Sequence, residues 1–282
     1  LNITKVTLDI GLGHEIRLLH ATDNHFCYAD VRDDERKIKL AEQRRLVFET
    51  KGSSYGFMTD FCKYSRENCD LLVHTGDLID FVSHLNLEKA AEVLEGTDYF
   101  MVAGNHEFSK YVGEAWEDET YKLDSYSYVQ RFFNNNILFD SRVVNGLNLV
   151  AIDNTYYHFT VGQLYALKNE VAKGLPIVLL LHNPIHTDAL YNKMMFEDKR
   201  PCAYLTGTPK ELMQGYDEYR YKQQLPSELD VECIRYIEET PEIKAIFTGH
   251  LHFTFDSFTA SGKPQLCTVG GYKAEAREIT IR

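Results

Sequence analysis

Seven side chains of two chemical kinds, carboxylate or amide oxygen and imidazole nitrogen, follow short apolar runs spread along this 282-residue chain. Asp23 and His25 come after the run Glu15 to Ala21, and Asp77 after Leu71 to Gly76. Asn105 comes after Tyr99 to Gly104, His182 after Leu175 to Leu181, and His250 and His252 after Ile243 to Gly249. Oxygen and imidazole without thiolate suit Mn, Fe, Zn, Co or Ni better than Ca or Mg, which favour oxygen alone. Seven donors are too many for one such ion and fit two that share a ligand. A carboxylate can bridge ions about 3.5–4 Å apart. Asp77, mid-sheet in chain order and at the tightest turn, is the expected bridge. Residues i and i+2 of an extended segment face one side, so Asp23 with His25, and His250 with His252, are expected in extended backbone turned toward the ions. Gly76, Gly104 and Gly249 each precede a ligand, where bare backbone permits a sharp turn and close approach.

Two such ions with an open side suit phosphate-ester hydrolysis, because they acidify a water, orient the ester and offset charge on the phosphoryl oxygens. His106, adjacent to Asn105, is the candidate general acid for the leaving oxygen, with Asp80 orienting its ring. Asn105 and His106 are also the candidate contacts to the substrate. The remaining histidines carry less. His14, His84 and His158 have no motif around them and are read as structural. His20 and His74 lie inside apolar strands and are read as buried and hydrogen-bonded. His186 is separated from His182 by Pro184 and is substrate-side at most.

The elements that must carry these groups follow from patterning. An open α/β sheet places its ligand site beyond the carboxyl ends of its strands, which is where all five motif blocks stand. Residues 4–10 alternate polar and apolar as a half-exposed first strand, turned by Gly11-Leu12-Gly13 toward the Asp23 strand. Helices are expected over 33–48, 53–68, 83–95 with Gly96 as the stop, and 227–240. Thr160-x-x-Gln163 has the form of a capping box for another, ending near Gly174. The acidic, aromatic segment 114–133 is expected to be partly helical surface structure. Asn145-Gly146 between two apolar runs marks a hairpin, and 253–282 is β-rich. Two sheets face to face, each covered by helices, accommodate this mixture. The motif blocks run from residue 23 to residue 252, so a domain split would cut the site apart; a single domain over 1–282 is expected. A cap insertion is expected at about 186–224. Its tyrosines (191, 204, 216, 219 and 221) either stack an aryl group or nucleobase of the substrate or fill the segment's own small core, and the second is favoured.

Composition narrows the function further. A net charge of −12 argues against a general grip on nucleic-acid backbone, but bound cations can reverse the field locally for a small phosphorylated substrate. The longest aliphatic run, Ile177 to Leu181, is far short of the ~20 residues of a membrane helix, so no membrane association is expected. Six scattered cysteines without a C-x-x-C pair suggest reduced thiols and a cytoplasmic protein. Residue 1 is Leu rather than Met, which leaves an upstream segment open. Oligomeric state is not legible.

D-x-H at 23–25, G-D-x-x-D at 76–80, G-N-H-E at 104–107, His182 after a strand and G-H-x-H at 249–252 together resemble the calcineurin-like metallophosphoesterase superfamily, in order and over about four-fifths of the chain. The resemblance implies an α/β fold, a four-layer αββα sandwich of two mixed sheets flanked by helices. It implies one ion held by Asp23, His25, Asp77 and His252 and the other by Asp77, Asn105, His182 and His250, with His106 and Asp80 as the acid pair. The cofactors would be two divalent or trivalent transition-metal ions, Mn, Fe or Zn foremost. The implied activity is metal-dependent hydrolysis of a small phosphomonoester or phosphodiester, by in-line attack of a hydroxide shared between the ions. Phe81 follows Asp80 where the protein serine/threonine phosphatase branch has Arg, and Asp80 stands where the purple acid phosphatase branch has a metal-binding Tyr. Neither branch is therefore expected. The alternatives are a non-catalytic scaffold on the same fold, against which the complete ligand set counts, and a nuclease of the superfamily, against which the acidity counts.

Overall fold

Continuous apolar runs mark strands covered on both faces, whereas alternation marks strands with one wet face, and the chain uses both. The computed structural model describes residues 1–112 and 119–282. In chain order the strands are β1 (Asn2–Leu8), β2 (Ile16–Ala21), β3 (Leu71–His74), β4 (Tyr99–Met101), β5 (Phe139–Val144), β6 (Leu147–Ile152), β7 (Ile177–Leu180), β8 (Ile243–Thr248), β9 (Phe255–Phe258), β10 (Pro264–Cys267) and β11 (Glu275–Ile281). The helices are α1 (Glu35–Phe48), α2 (Ser54–Asn68), α3 (His84–Leu94), α4 (Glu119–Val129), α5 (Val161–Val171), α6 (Asp188–Asn192), α7 (Glu218–Gln224) and α8 (Glu228–Glu239).

One sheet has the order β1-β11-β2-β3-β4 and the other β5-β6-β7-β8-β10-β9. Both are mixed: β2-β3-β4 and β6-β7-β8-β10 run parallel, while β11 on β2, β5 on β6 and β9 on β10 run antiparallel. Leu18, Val73 and Phe100 of the first sheet meet Leu149, Leu180 and Phe247 of the second in the space between them. Phe61 and Leu87 of α2 and α3 cover the outer face of the first sheet at Leu19 and Leu72. Leu164 and Ile237 of α5 and α8 cover the second at Val150 and Leu179. The result is the αββα sandwich.

Local signals set several boundaries. Ser53 and Ser83 accept N–H bonds from Gly56 and Asn86 as N-caps, and Thr160 with Gln163 closes a capping box on α5. Asn145 and Gly146 both sit at positive φ (47° and 82°), the two-residue hairpin turn their identities favour. The first turn is different. β1 pairs in parallel with β11, which is inserted between it and β2, so Gly11 to Gly13 carries the chain across a strand rather than into a neighbouring one. In the segment 114–133, residues 119–129 form α4; residues 114–118 lie outside the described residues. Residues 188–224 hold α6, α7 and a small core of their own, in which Leu190, Met194, Leu205, Met213 and Tyr216 pack onto Leu251 and Cys267. Among the described residues no helix is long and apolar enough to cross a membrane.

Candidate metal centre

The loops after β2, β3, β4, β7 and β8 bring the seven candidate ligands to one end of the two sheets, and five of the seven sit on strained backbone. Asp23, His25, Asp77, His250 and His252 have φ of 51°, 52°, 56°, 69° and 60°. Extended D-x-H and H-x-H segments were expected, and the structure replaces them with left-handed residues at both ends of each pair. The cause is crowding at the sheet ends. Asp23 N–H donates to the Gly76 carbonyl at 2.9 Å and His25 N–H to the Asp77 carbonyl at 3.0 Å, so two loops must turn side by side. Such positions cost of the order of 1–3 kcal/mol each and persist where surroundings over-determine them. The glycines make the crowding possible. A Cβ at Gly104 would collide with the Asp77 carboxylate, and one at Gly249 with Thr22 and the Asp23 carboxylate.

Side chains converge in three overlapping sets of metal-capable donors, Asp23-His25-His252, His25-Asp77-His106 and Asp77-His182-His250, each with ligand atoms within 4.8 Å of one another. His252 Nε2 is 3.2 Å from Asp23 Oδ1, and His182 Nε2 is 3.1 Å from Asp77 Oδ2. His25 Nε2 stands 3.8 Å from both Asp23 and Asp77 and 3.0 Å from His252 Nε2. His250 Nδ1 is 3.2 Å from His182 Nε2. Asn105 lies in the wall of the same cleft.

The outer nitrogens show what this arrangement requires. His25 Nδ1 faces the Asp80 carboxylate at 2.9 Å and His182 Nδ1 the Thr75 carbonyl at 2.6 Å. Both partners only accept, so Nδ1 is the protonated nitrogen in each ring. In the neutral imidazole, Nε2 then turns a lone pair toward carboxylates and another imidazole. Lone pair against carboxylate is repulsive unless positive charge lies between. Burial opposes charging His25, yet bonds to Asp23 and Asp80 and the Asp77 charge push it up to about 10. Burial also opposes charging His182, and Asp77 still pushes it up to about 9. Burial likewise opposes ionised Asp77, which the charges of His182 and His106 hold well below the usual carboxylate range. A pocket that draws in positive charge this strongly, lined by oxygen and imidazole, fits transition-metal ions.

The residue pattern has a family behind it. A model of the calcineurin-like phosphoesterase family matches residues 16–253. The chain belongs to that family. No curated protein matches it in sequence. Solved structures similar to this calcineurin-like phosphoesterase share its fold at low identity. A dimetal phosphatase from Danio rerio is 14% identical, with 91% of this chain and 88% of that one covered and a TM-score of 0.52. A purple acid phosphatase from yellow lupin (Lupinus luteus) is 14% identical, with 92% of this chain and 44% of that one covered and a TM-score of 0.51.

Around the candidate ligands of this phosphoesterase the structure adds supports that the sequence did not single out. Glu107, the last residue of G-N-H-E, is buried and accepts backbone N–H bonds from Asp77 (2.7 Å), Leu78 (2.8 Å), Ile79 (3.2 Å) and Gly104 (2.6 Å). It pins the Asp77 turn. Burial and the Asp77 charge push its carboxyl up to about 7, against the pull of those donors. Thr22 Oγ1 donates to Asp23 Oδ2 at 2.6 Å. Tyr157, itself at φ 71°, places its hydroxyl 3.0 Å from His250 Nε2, leaving Nδ1 for the cleft. Arg44 of α1 reaches the Asp80 carboxylate with Nε at 2.6 Å and Nη2 at 3.0 Å. Glu107 had a signal in its motif; Arg44 and Tyr157 had none, one being a cation among many on α1 and the other lying between motifs.

Asp80 and His106 meet differently from a simple carboxylate–imidazole pair. His106 Nδ1 donates to the Asp80 carbonyl at 2.6 Å and is 3.4 Å from its carboxylate, which is shared with His25 and Arg44. Burial would raise the Asp80 carboxyl, but the bonds from His25 and Arg44 hold it well below the usual range. His20 and His74 are buried and hydrogen-bonded to Thr75, Thr268 and Asn24, as expected. His186 packs by Tyr191 near Asp188 and is not part of the cleft wall. Of the tyrosines in 188–224, Tyr191 and Tyr216 belong to that segment's own core, their hydroxyls tied to Leu212 and Ala203. Tyr204 lines the cleft, a cavity of about 1020 Å³.

Proposed function

We propose that the chain hydrolyses esters of phosphate on small molecules with two transition-metal ions, Mn, Fe or Zn foremost. One ion would be held by Asp23, His25, Asp77 and His252, the other by Asp77, Asn105, His182 and His250. The observation that carries this is the meeting of Asp77 with donor sets from both sides, His25 with His106 and His182 with His250. When bound, such a pair of cations acidifies water and offsets charge on the phosphoryl group. The rest falls to the chain. His106 gives a proton from Nε2 to the leaving oxygen while Nδ1–H stays on the Asp80 carbonyl. Asp80 keeps a negative charge near that ring and near His25, and so positions both. Asn105 and His106 contact the phosphoryl group from the cleft wall. Phosphomonoesters and phosphodiesters are both within this chemistry. Six unpaired cysteines suit a reducing compartment such as the cytoplasm.

The test is turnover of 4-nitrophenyl phosphate and bis(4-nitrophenyl) phosphate with added Mn²⁺, before and after chelation. Metal-dependent hydrolysis of either supports the assignment. Two ions bound per chain with no turnover of either, or of a wider set of phosphate esters, would move the protein to the scaffold class.

A further inference from the structure

The candidate ligands and His106 account for one part of the cleft wall, and the turn that leads into β11 supplies another. Tyr272 and Lys273, consecutive and partly buried on the short turn Gly271–Lys273, both line the cleft. Neither is a candidate ligand or a member of the acid pair. Backbone bonds fix this turn to the ligand loops. Gly271 N–H donates to the Thr22 carbonyl at 2.7 Å and Tyr272 N–H to the Asp23 carbonyl at 3.4 Å.

The Tyr272 ring is held from several sides. It meets Phe48, His252 and His25 edge-on, at centroid separations of 4.8, 5.3 and 6.2 Å. Glycine at 270 makes room for it, because a Cβ there would stand 2.6 Å from the ring. A phenol fixed in this way pays little further ordering cost when a ligand arrives. Its hydroxyl, however, has no hydrogen-bond partner among the described residues and is not sealed from solvent. Tyr28, Tyr64, Tyr191 and Tyr216 instead spend their hydroxyls on protein acceptors or donors. Lys273 Nζ donates to the His252 carbonyl at 2.7 Å and lies 5.5 Å from the centre of the Tyr272 ring. That bond anchors the ammonium beside a candidate ligand and uses one of its three donors. Lys273 forms no ion pair among the described residues.

We propose that Tyr272 and Lys273 are a substrate-contacting pair, the phenol O–H and the ammonium N–H donating to non-bridging oxygens of the phosphoryl group. This rests on the phosphoesterase assignment and adds two donors to Asn105 and His106. Hydrogen bonds to a charged oxygen are the strong ones, and donors already in place as charge builds on the phosphoryl oxygens need no reorganisation.

The experiment is calorimetric titration of the Mn²⁺-loaded protein with phenylphosphonate, a non-hydrolysable probe, with metal content followed by elemental analysis. Tyr272→Phe keeps the ring and its three edge contacts and removes only the hydroxyl. Phenylphosphonate affinity should fall roughly 3–10-fold, the effect of one hydrogen bond. Lys273→Gln removes the charge but keeps a donor for the His252 carbonyl, and affinity should fall roughly tenfold or more. Both variants should keep the metal content of the wild type. Unchanged affinity in either variant overturns the pair and leaves the phosphoesterase assignment standing. A loss of affinity that tracks a loss of metal also overturns it, reducing both residues to supports of His252. A wild-type protein that loads Mn²⁺ and binds no phosphonate has no phosphoryl site, which removes both readings.

Discussion

The strand-end loops and the 188–224 segment face each other across one cleft and are built on opposite terms. The loops hold their side chains on left-handed backbone, with glycines where a Cβ would collide with the Asp77 and Asp23 carboxylates and with Glu107 accepting three N–H bonds from the Asp77 turn and one from Gly104. The 188–224 segment is two short helices around Leu190, Met194, Met213 and Tyr216, an ordinary apolar cluster that leans on Leu251 and Cys267. Rigid sheets can sustain local strain and so fix a chemical centre to fractions of an ångström. The 188–224 segment also holds a left-handed residue, Tyr204 at φ 56°, but its core rests on apolar packing and not on pinned turns. The candidate metal centre and the opposite wall of the cleft thus sit on different mechanical supports.

Several substitutions would break or sharpen that contrast. The largest effect is expected from Asp77→Asn, which removes charge shared by both donor sets; bound metal should fall below one ion per chain by elemental analysis, with the fold retained by circular dichroism. His106→Ala should keep its metal and slow esters with poor leaving groups by roughly 10²–10⁴, and esters with good leaving groups far less. In the 188–224 segment, Met213→Ala opens a cavity in the satellite core and should cost about 2–5 kcal/mol if the segment unfolds with the sandwich. If denaturant melting instead shows an early separate phase while metal content is unchanged, the two regions are independent. Tyr157→Phe removes the group that orients His250 and should weaken metal affinity roughly 10–100-fold in a chelator competition. The smallest effect is at the N-terminal end of α8, where His158 meets Asp230 at 2.7 Å and this hydrogen bond raises its pKa. A raised folded-state value stabilises fully below the unfolded pKa of about 6.5 and fades as pH climbs through the folded one. The melting difference between wild type and His158→Gln should therefore be widest in mild acid, below ~1 kcal/mol, and shrink at alkaline pH.

The convergence of the candidate ligands was readable because their residue types are rare after apolar runs and recur five times, so each block vouches for the others. The sheets were readable for the same reason: Leu71 to Val73 and Ile177 to Leu181 have no polar face to spare. Conformation was not readable. Asp and His give no sign in sequence that they will sit at φ near 50–70°, since the loop alongside imposes it. Long-range partners were hidden too. Nothing in α1 distinguishes Arg44, which reaches Asp80, from Arg45, its chain neighbour on the same helix. The placement of β11 between β1 and β2 joins residues more than 250 positions apart, beyond any local pattern.

That pairing has a consequence for how the protein is made. The loop after β10 fastens the Asp23 turn, with Gly271 N–H on the Thr22 carbonyl at 2.7 Å, and β11 then locks the strand that delivers it. A nascent chain that has not yet reached residue 271 carries every candidate ligand but neither of these two supports, so it should hold added metal ions more loosely than a chain that includes residues 271–281.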